Sequence, residues 1–212
     1  MASTESDPVI RILVVDDHPV FRGGLAAMIQ TQPDMALVGE AATGREAIDQ
    51  FRRLKPDVTL MDLEMPDMRG LDAIKVICKE FPRARIIVLT TYSGDAQALE
   101  TLKGGAAGYL LKSTLHRELL DTIRNVHAGR RHLPPEIASE IAFHAGEEPL
   151  TSREIEVLHL IAGGGANKTI AAQLSLSEET VKGYLKSIFL KLGVNDRTLA
   201  VTIAAKRGII QL

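Results

Sequence analysis

From Ile10 to His127, short unbroken apolar runs alternate with stretches whose apolar residues recur every three or four positions. Ile10–Val15 (IRILVV) predicts a strand that stops abruptly at Asp16-Asp17. His18–Thr31 follows as a helix, with Val20, Phe21, Leu25, Met28 and Ile29 at helical spacing. Met35–Ala41 predicts a second strand, and Val58–Met61, Ile86–Leu89 and Gly108–Leu111 predict three more. Thr43-Gly-Arg-Glu46 sets a hydroxyl and a carboxylate three residues apart, the form of a capping box, and opens a helix carrying Ala47, Ile48, Phe51 and Leu54. Further helices are predicted around Leu71–Phe81, Ala96–Leu102 and Leu115–His127. Five strand–helix units whose strands are nearly continuous in apolar residues point to an α/β fold with a parallel sheet covered on both faces.

The pattern breaks after Ala128, at Gly129-Arg-Arg and Pro134-Pro135. Glu136–His144 predicts one short helix, and Gly146-Glu-Glu-Pro149 reads as a hinge. Beyond it no strand pattern remains. Thr151-Ser-Arg-Glu154 is a second capping box, opening a helix with Ile155, Leu158 and Ile161 inward, and Gly163-Gly-Gly165 stops it. Asn167–Leu174 is a short helix, Ser175-Leu-Ser177 a turn, Glu178–Leu192 a longer helix ended by Gly193, and Arg197–Arg207 the last. Ile170, Ala171, Leu174, Val181 and Leu185 join the inward set. A helix, a tight turn and a longer lysine-bearing helix give the outline of a helix-turn-helix. The expected division is residues 9–128, a linker over 129–148, and residues 149–212.

Composition adds exclusions. With 45% hydrophobic and 25% charged residues in 212, the chain has enough apolar surface for folded cores, which excludes disorder and fibres. No apolar run approaches the roughly 18 residues of a spanning helix, and Met1–Asp7 is polar and acidic, unlike a signal peptide. A single cysteine, Cys78, cannot form an intrachain disulfide, so a cytoplasmic setting is expected, away from membranes. The net charge of -2 hides an asymmetry: from Pro149 onward there are 8 basic and 5 acidic residues, net +3, against 17 basic and 22 acidic before it, net -5. Two units with different partners are expected, the second partner anionic.

Ligands of a parallel sheet gather at the carboxyl ends of its strands. There the sequence places Asp16 and Asp17, then Asp62, then Thr90 and Thr91, then Lys112. Aspartates converging at one edge repel one another unless a cation intervenes, and Mg2+ favours oxygen ligands. Asp62 is placed as a nucleophile toward a phosphoryl group, Thr90 as a hydroxyl donor to its oxygens, and Lys112 as fixed positive charge. Thr90 is preferred to Thr91 because it directly follows the apolar run. Singly, each has a plainer reading: an aspartate as a turn residue, a lysine as a solvated strand end, Tyr109 as core, His18 as a helix-start histidine. The ordered set carries the signal. In the tail, Thr180, Lys182 and Lys186 lie on related turns of a helix that fits the major groove, with Lys191 further along; the plainer reading is a solvated charged face.

Asp16-Asp17, Asp62, Thr90 and Lys112, in this order at strand ends, resemble the receiver domain of two-component response regulators over Val9–Ala128. LTSREIEVLHLIAGGGANKTIAAQLSLSEETVKGYLKSIFLKLGVNDRTLAV resembles the LuxR-type DNA-binding domain. Together they resemble the NarL/FixJ class of response regulator. The resemblance implies a flavodoxin-like (βα)5 receiver followed by a small four-helix domain. It implies phosphorylation of Asp62 by a partner histidine kinase, with Mg2+ held by Asp17, Asp62 and the backbone carbonyl of Glu64, and Asp16 acting through the water shell. Thr90 and Tyr109 are then the switch pair, and Pro66 and Gly70 fit the loop after the phosphorylated strand. On double-stranded DNA, Lys182 and Lys186 would reach base edges, while Thr180, Lys191 and Arg197 would sit near phosphates. Activation would produce a homodimer. Leu199, Ala200, Ile203 and Ala204 form either its contact or simply the packing face of the last helix.

Three positions depart from the family pattern: Gly183 lacks a side chain where many relatives can touch bases, Tyr184 replaces a frequent histidine, and Ala166 lacks the hydroxyl that caps the short helix, leaving Asn167 to help. Two rival readings are a Mg2+-dependent phosphatase or phosphotransferase using Asp62 as nucleophile on small molecules, for which no substrate-binding insertion is present, and a phosphorylation-independent DNA binder whose receiver only dimerises.

Overall fold

The computed structural model describes residues 9–91 and 94–210, so the acidic Met1–Asp7 stretch lies outside the described residues. Five strands, β1 (Ile10–Val15), β2 (Met35–Ala41), β3 (Val58–Asp62), β4 (Ile86–Thr90) and β5 (Gly108–Leu111), alternate with α1 (Pro19–Gln30), α2 (Gly44–Leu54), α3 (Gly70–Glu80), α4 (Asp95–Lys103) and α5 (Leu115–His127). The strands form one sheet in the order β2-β1-β3-β4-β5, and every pairing is parallel. This is the flavodoxin-like order, and it reverses direction at β1, the point at which parallel sheets of this order take their ligands. All residues of β3 and β4 are buried, which explains their unbroken apolar runs: both faces are covered by helices. The core under β1 and β3 contains Ile12, Val14, Leu60, Leu89, Leu119 and Ile123.

The α2 start departs from a simple capping box. Thr43 accepts from the Glu46 amide as expected, but the Glu46 carboxylate reaches the amide of Ala42. The amides of Gly44 and Arg45 donate instead to Asp67, in the loop after β3. A residue 22 to 23 positions away thus completes the cap and ties that loop to α2.

The remaining helices are α6 (Pro135–His144), α7 (Ser152–Ala162), α8 (Asn167–Leu174), α9 (Glu178–Leu192) and α10 (Arg197–Lys206). The described residues fall into two compact units: one runs to Thr91 and resumes over Glu100–Pro134, and the other takes in the residues up to Leu99 together with Pro135 onward. In the second unit Val157, Leu158, Ile161, Ile170, Ala171, Val181, Ile188, Ala200 and Ala204 form the core, with Ile155, Leu174 and Leu185 packed against it. Ala200 and Ala204 of the last helix are therefore committed to packing, whereas Leu199 is 40% exposed. Thr151 and Glu154 make a complete capping box at α7. At α8, by contrast, Ala166 provides no side-chain cap, and neither does Asn167. Gly193 closes α9 in the left-handed conformation at φ 65, which a residue with a Cβ adopts only at a cost. Among the described residues no helix is long and apolar enough to cross a membrane.

Candidate functional site

β1 and β3 are neighbours, so the acids that end them meet at one edge of the sheet. Asp16 follows the last residue of β1 and is fully buried; Asp62 ends β3 and is 2% exposed; Asp17 is half-buried beside them. From β5 comes Lys112, whose Nζ donates to Asp16 Oδ2 and Asp62 Oδ2, both at 2.8 Å. The ammonium also sits over the Phe21 ring, 4.6 Å from its centroid. Burial is the strongest influence on Asp62 and holds its carboxyl above the usual range, against the pull of Lys112. Burial acts to lower the pKa of Lys112, but its bonds to Asp16 and Asp62 outweigh it and hold the ammonium above its ordinary value. One cation thus serves two buried carboxylates.

The backbone around Asp62 is closely fitted. The Glu64 amide donates to Asp62 Oδ1 at 3.3 Å, and the Gly70 amide donates to the Leu63 carbonyl. A Cβ on Gly70 would stand 1.9 Å from the carbonyl oxygen of Asp62, so only glycine lets α3 begin here. Arg22 donates to the Asp16 carbonyl at 2.7 Å and pairs with Glu40, which fixes the turn after β1 from behind. Thr90 ends β4 and is buried; a side-chain hydrogen bond joins it to Tyr109, whose ring is fully buried and whose hydroxyl is pushed well above its ordinary pKa by that burial. The expected switch pair is therefore in contact.

Two participants were not legible as such in the sequence. His18, read as a helix-start histidine, has its Nδ1 2.7 Å from Asp17 Oδ1 and 3.5 Å from Asp16 Oδ1, and its amide donates to Asp16. Phe21, read as one of a helical apolar stripe, lies under the site's lysine. Adjacency to the acid pair was the only local signal for His18, and Phe21 had none.

The tail residues separate into two groups. Thr180, Lys182, Lys186 and Arg197 are exposed. Thr180 bonds Ser177 through its amide and its hydroxyl at the start of α9, Lys182 pairs with Glu179 at 3.3 Å, and Arg197 donates to the Gly165 carbonyl. Lys191 is held differently from these four. Its side chain is 9% exposed and is drawn to Glu154 at 3.0 Å, to Glu148 at 3.1 Å and to the Pro149 carbonyl. The resemblance that implied a place near phosphates carries no information on the buried carboxylate that α7 turns toward this side of α9.

Residues 12–124 match the response regulator receiver domain, and residues 148–204 match the bacterial regulatory proteins of the luxR family. The chain is 40% identical over 210 residues to the transcriptional regulatory protein LiaR of Bacillus subtilis (strain 168), covering 95% of this chain and 100% of LiaR. It is 38% identical over 207 residues to the response regulator protein VraR of Staphylococcus aureus (strain NCTC 8325), covering 95% of this chain and 99% of VraR. This chain belongs to the response regulators of the NarL/FixJ class. Among solved structures it resembles RcsB of Salmonella enterica serovar Typhimurium, bound to promoter P1flhDC in the presence of phosphomimetic BeF3-, at 28% identity and a TM-score of 0.70, covering 93% of this chain and 98% of that one. The regulator is thus a transcription regulator with a receiver and a LuxR-type DNA-binding domain.

The receiver's acids suit a hard cation. Asp16, Asp17, His18 and Asp62 each offer a ligand atom, and these atoms lie within 4.8 Å of one another. Asp17 Oδ1 is buried, and the side chain that approaches it is the His18 imidazole, at 2.7 Å. Three carboxylates crowded at one edge, two of them buried and sharing a single ammonium, are what an oxygen-seeking divalent ion resolves.

Proposed function

We propose that this regulator accepts a phosphoryl group on Asp62 from a phosphohistidine of a sensor histidine kinase and, so modified, binds double-stranded DNA as a homodimer. The supporting observation is the environment of Asp62: nearly buried, its pKa raised, sharing Lys112 with Asp16, and standing within 4.8 Å of an Asp17 carboxylate oxygen. In the transfer, an Asp62 oxygen attacks phosphorus, the bond from phosphorus to the imidazole nitrogen breaks, and the imidazole leaves with the electron pair. Asp17, Asp62 and the Glu64 carbonyl would hold Mg2+, with Asp16 acting through its water shell. The ion supplies charge neutralisation for the phosphoryl oxygens. Lys112 is positioned to move its hydrogen bond from the Asp62 carboxylate to a phosphoryl oxygen.

Thr90 has one hydroxyl proton to donate. A phosphoryl oxygen on Asp62 would compete for that hydroxyl and so weaken its tie to Tyr109, shifting a two-state receiver. Two copies would then present two recognition helices, α9 of each, to half-sites about one helical turn apart, about 34 Å. Lys182 and Lys186 would face base edges, with Thr180 and Arg197 near phosphates. The cytoplasm is the compartment in which kinase and DNA are both reached.

The test is Mg2+-dependent incorporation of phosphate from a small acyl phosphate, mapped by mass spectrometry. Label on Asp62 alone is expected. Label elsewhere, or repeated turnover of varied phosphomonoesters, would overturn the assignment in favour of another acceptor or an enzyme.

A further inference from the structure

Along α9, Glu179, Lys182, Gly183, Lys186 and Leu190 are spaced i, i+3, i+4, i+7 and i+11 and therefore share one face; all five are exposed. The opposite face is spent on the core, with Val181 and Ile188 fully buried and Tyr184, Leu185, Phe189 and Leu192 packed against it. Leu190 is 83% exposed, at the end of the stripe that carries both groove-facing lysines. Scattered exposed leucines are ordinary on a protein surface. This one is distinguished by continuity: it extends the surface that the family's DNA-binding role assigns to DNA.

We infer that Leu190 reads sequence by apolar contact with the 5-methyl group of a thymine in the major groove. The inference rests on the reading that α9 enters that groove. Lys182 and Leu190 are eight residues apart, about 12 Å along a helix axis, a span of roughly three to four base-pair steps for a helix lying along the groove. Between them Gly183 presents bare backbone, and a Cβ built there meets nothing within 4 Å, so nothing of the protein obstructs a close approach of the helix to base edges. Of the groups on base edges in the major groove, the thymine methyl is the apolar one. A second copy of the same stripe is a poor occupant, because self-pairing would bring Lys182 and Lys186 against their own counterparts. The position thus adds apolar selectivity to a surface otherwise made of cations.

The experiment uses the full chain with beryllofluoride and Mg2+, and a duplex selected from a random pool by the parent chain. Each thymine is replaced in turn by deoxyuridine, which removes only the methyl group. For the parent, one replacement in each half-site is expected to weaken binding about fourfold. Leu190→Ala, which removes the contact from both protomers of the dimer, should weaken binding to the unmodified duplex about sixteenfold, be insensitive to that one replacement, and keep the parent's salt dependence, since an apolar contact releases no counterion. Leu190 is exposed, so the variant should melt with the parent. If Leu190→Ala responds to every replacement as the parent does, or changes only the sedimentation of the free chain, the contact does not exist. Lys182→Ala and Lys186→Ala separate the two levels. Weakening by both with no effect of Leu190→Ala overturns this inference alone; no effect of either lysine variant overturns the groove reading and this inference with it.

Discussion

Lys112 and Lys191 are both drawn inward by buried carboxylates, yet the two settings are electrostatic opposites. Glu154 has Lys191, the Ser187 hydroxyl and the Thr151 amide as donors. Burial works to raise its pKa, but those partners prevail and bring it down to about 2. In the receiver one ammonium serves Asp16 and Asp62, Asp17 has only the exposed His18 imidazole against its Oδ1, and burial leaves Asp62 above its ordinary range. A buried carboxylate whose lone pairs are all engaged is scaffold. One that shares its ammonium with a second buried carboxylate is kept at some cost in stability and remains available to a cation and a phosphoryl group.

The largest effect that sharpens this contrast is loss of chemistry. Asp62→Asn should reduce phosphate incorporation to background, whereas Glu154→Gln should leave it at the parent's level, both read by intact mass after exposure to an acyl phosphate. Stability should reverse the ranking. Glu154→Ala removes the capping box and strands Lys191 and Ser187, an expected loss of about 2 kcal/mol in urea unfolding. Asp62→Asn relieves carboxylate repulsion and should unfold at or above the parent's midpoint; a large loss there would break the comparison.

The same pair predicts a pH dependence. Glu154 titrates lower in the folded chain, at about 2, than its ordinary 4.5, so its contribution is complete above 4.5 and is lost as pH falls toward 2. Urea midpoints measured from neutral pH to about pH 3 should fall more steeply for the parent than for Glu154→Gln. Smaller effects are expected on DNA. Lys182→Ala should weaken binding about tenfold and relax preference at one base position. The smallest is a change of slope: Lys186→Ala should lower the salt dependence by about one counterion, and Lys191→Ala should leave it unchanged, because that side chain is already neutralised by Glu154. A reduced slope for Lys191→Ala would show that the pair opens on DNA.

Much of the fold was legible because it is written in local spacing. The limits of α5, α8 and α9 coincide with the periodic stretches, and the acids and Lys112 stand at strand ends where apolar runs stop. What the sequence did not disclose has one cause. Lys191 resembles any lysine late in a charged helix until α7 is folded against it, and the cap of α2 depends on Asp67, which no pattern within the helix announces. His18 and Phe21 acquire their places only when the start of α1 comes to lie beside the ends of β3 and β5.

By itself the sequence determined the alternation of strands and helices, the two-part organisation and the ordered set Asp16, Asp17, Asp62, Thr90 and Lys112, because periodicity and strand ends are properties of neighbours along the chain. Only the tertiary structure decided which charges remain short of partners. The field at a carboxylate depends on whatever lies within a few ångströms of it, and for Asp62 and Glu154 those groups lie as many as 50 and 37 residues away.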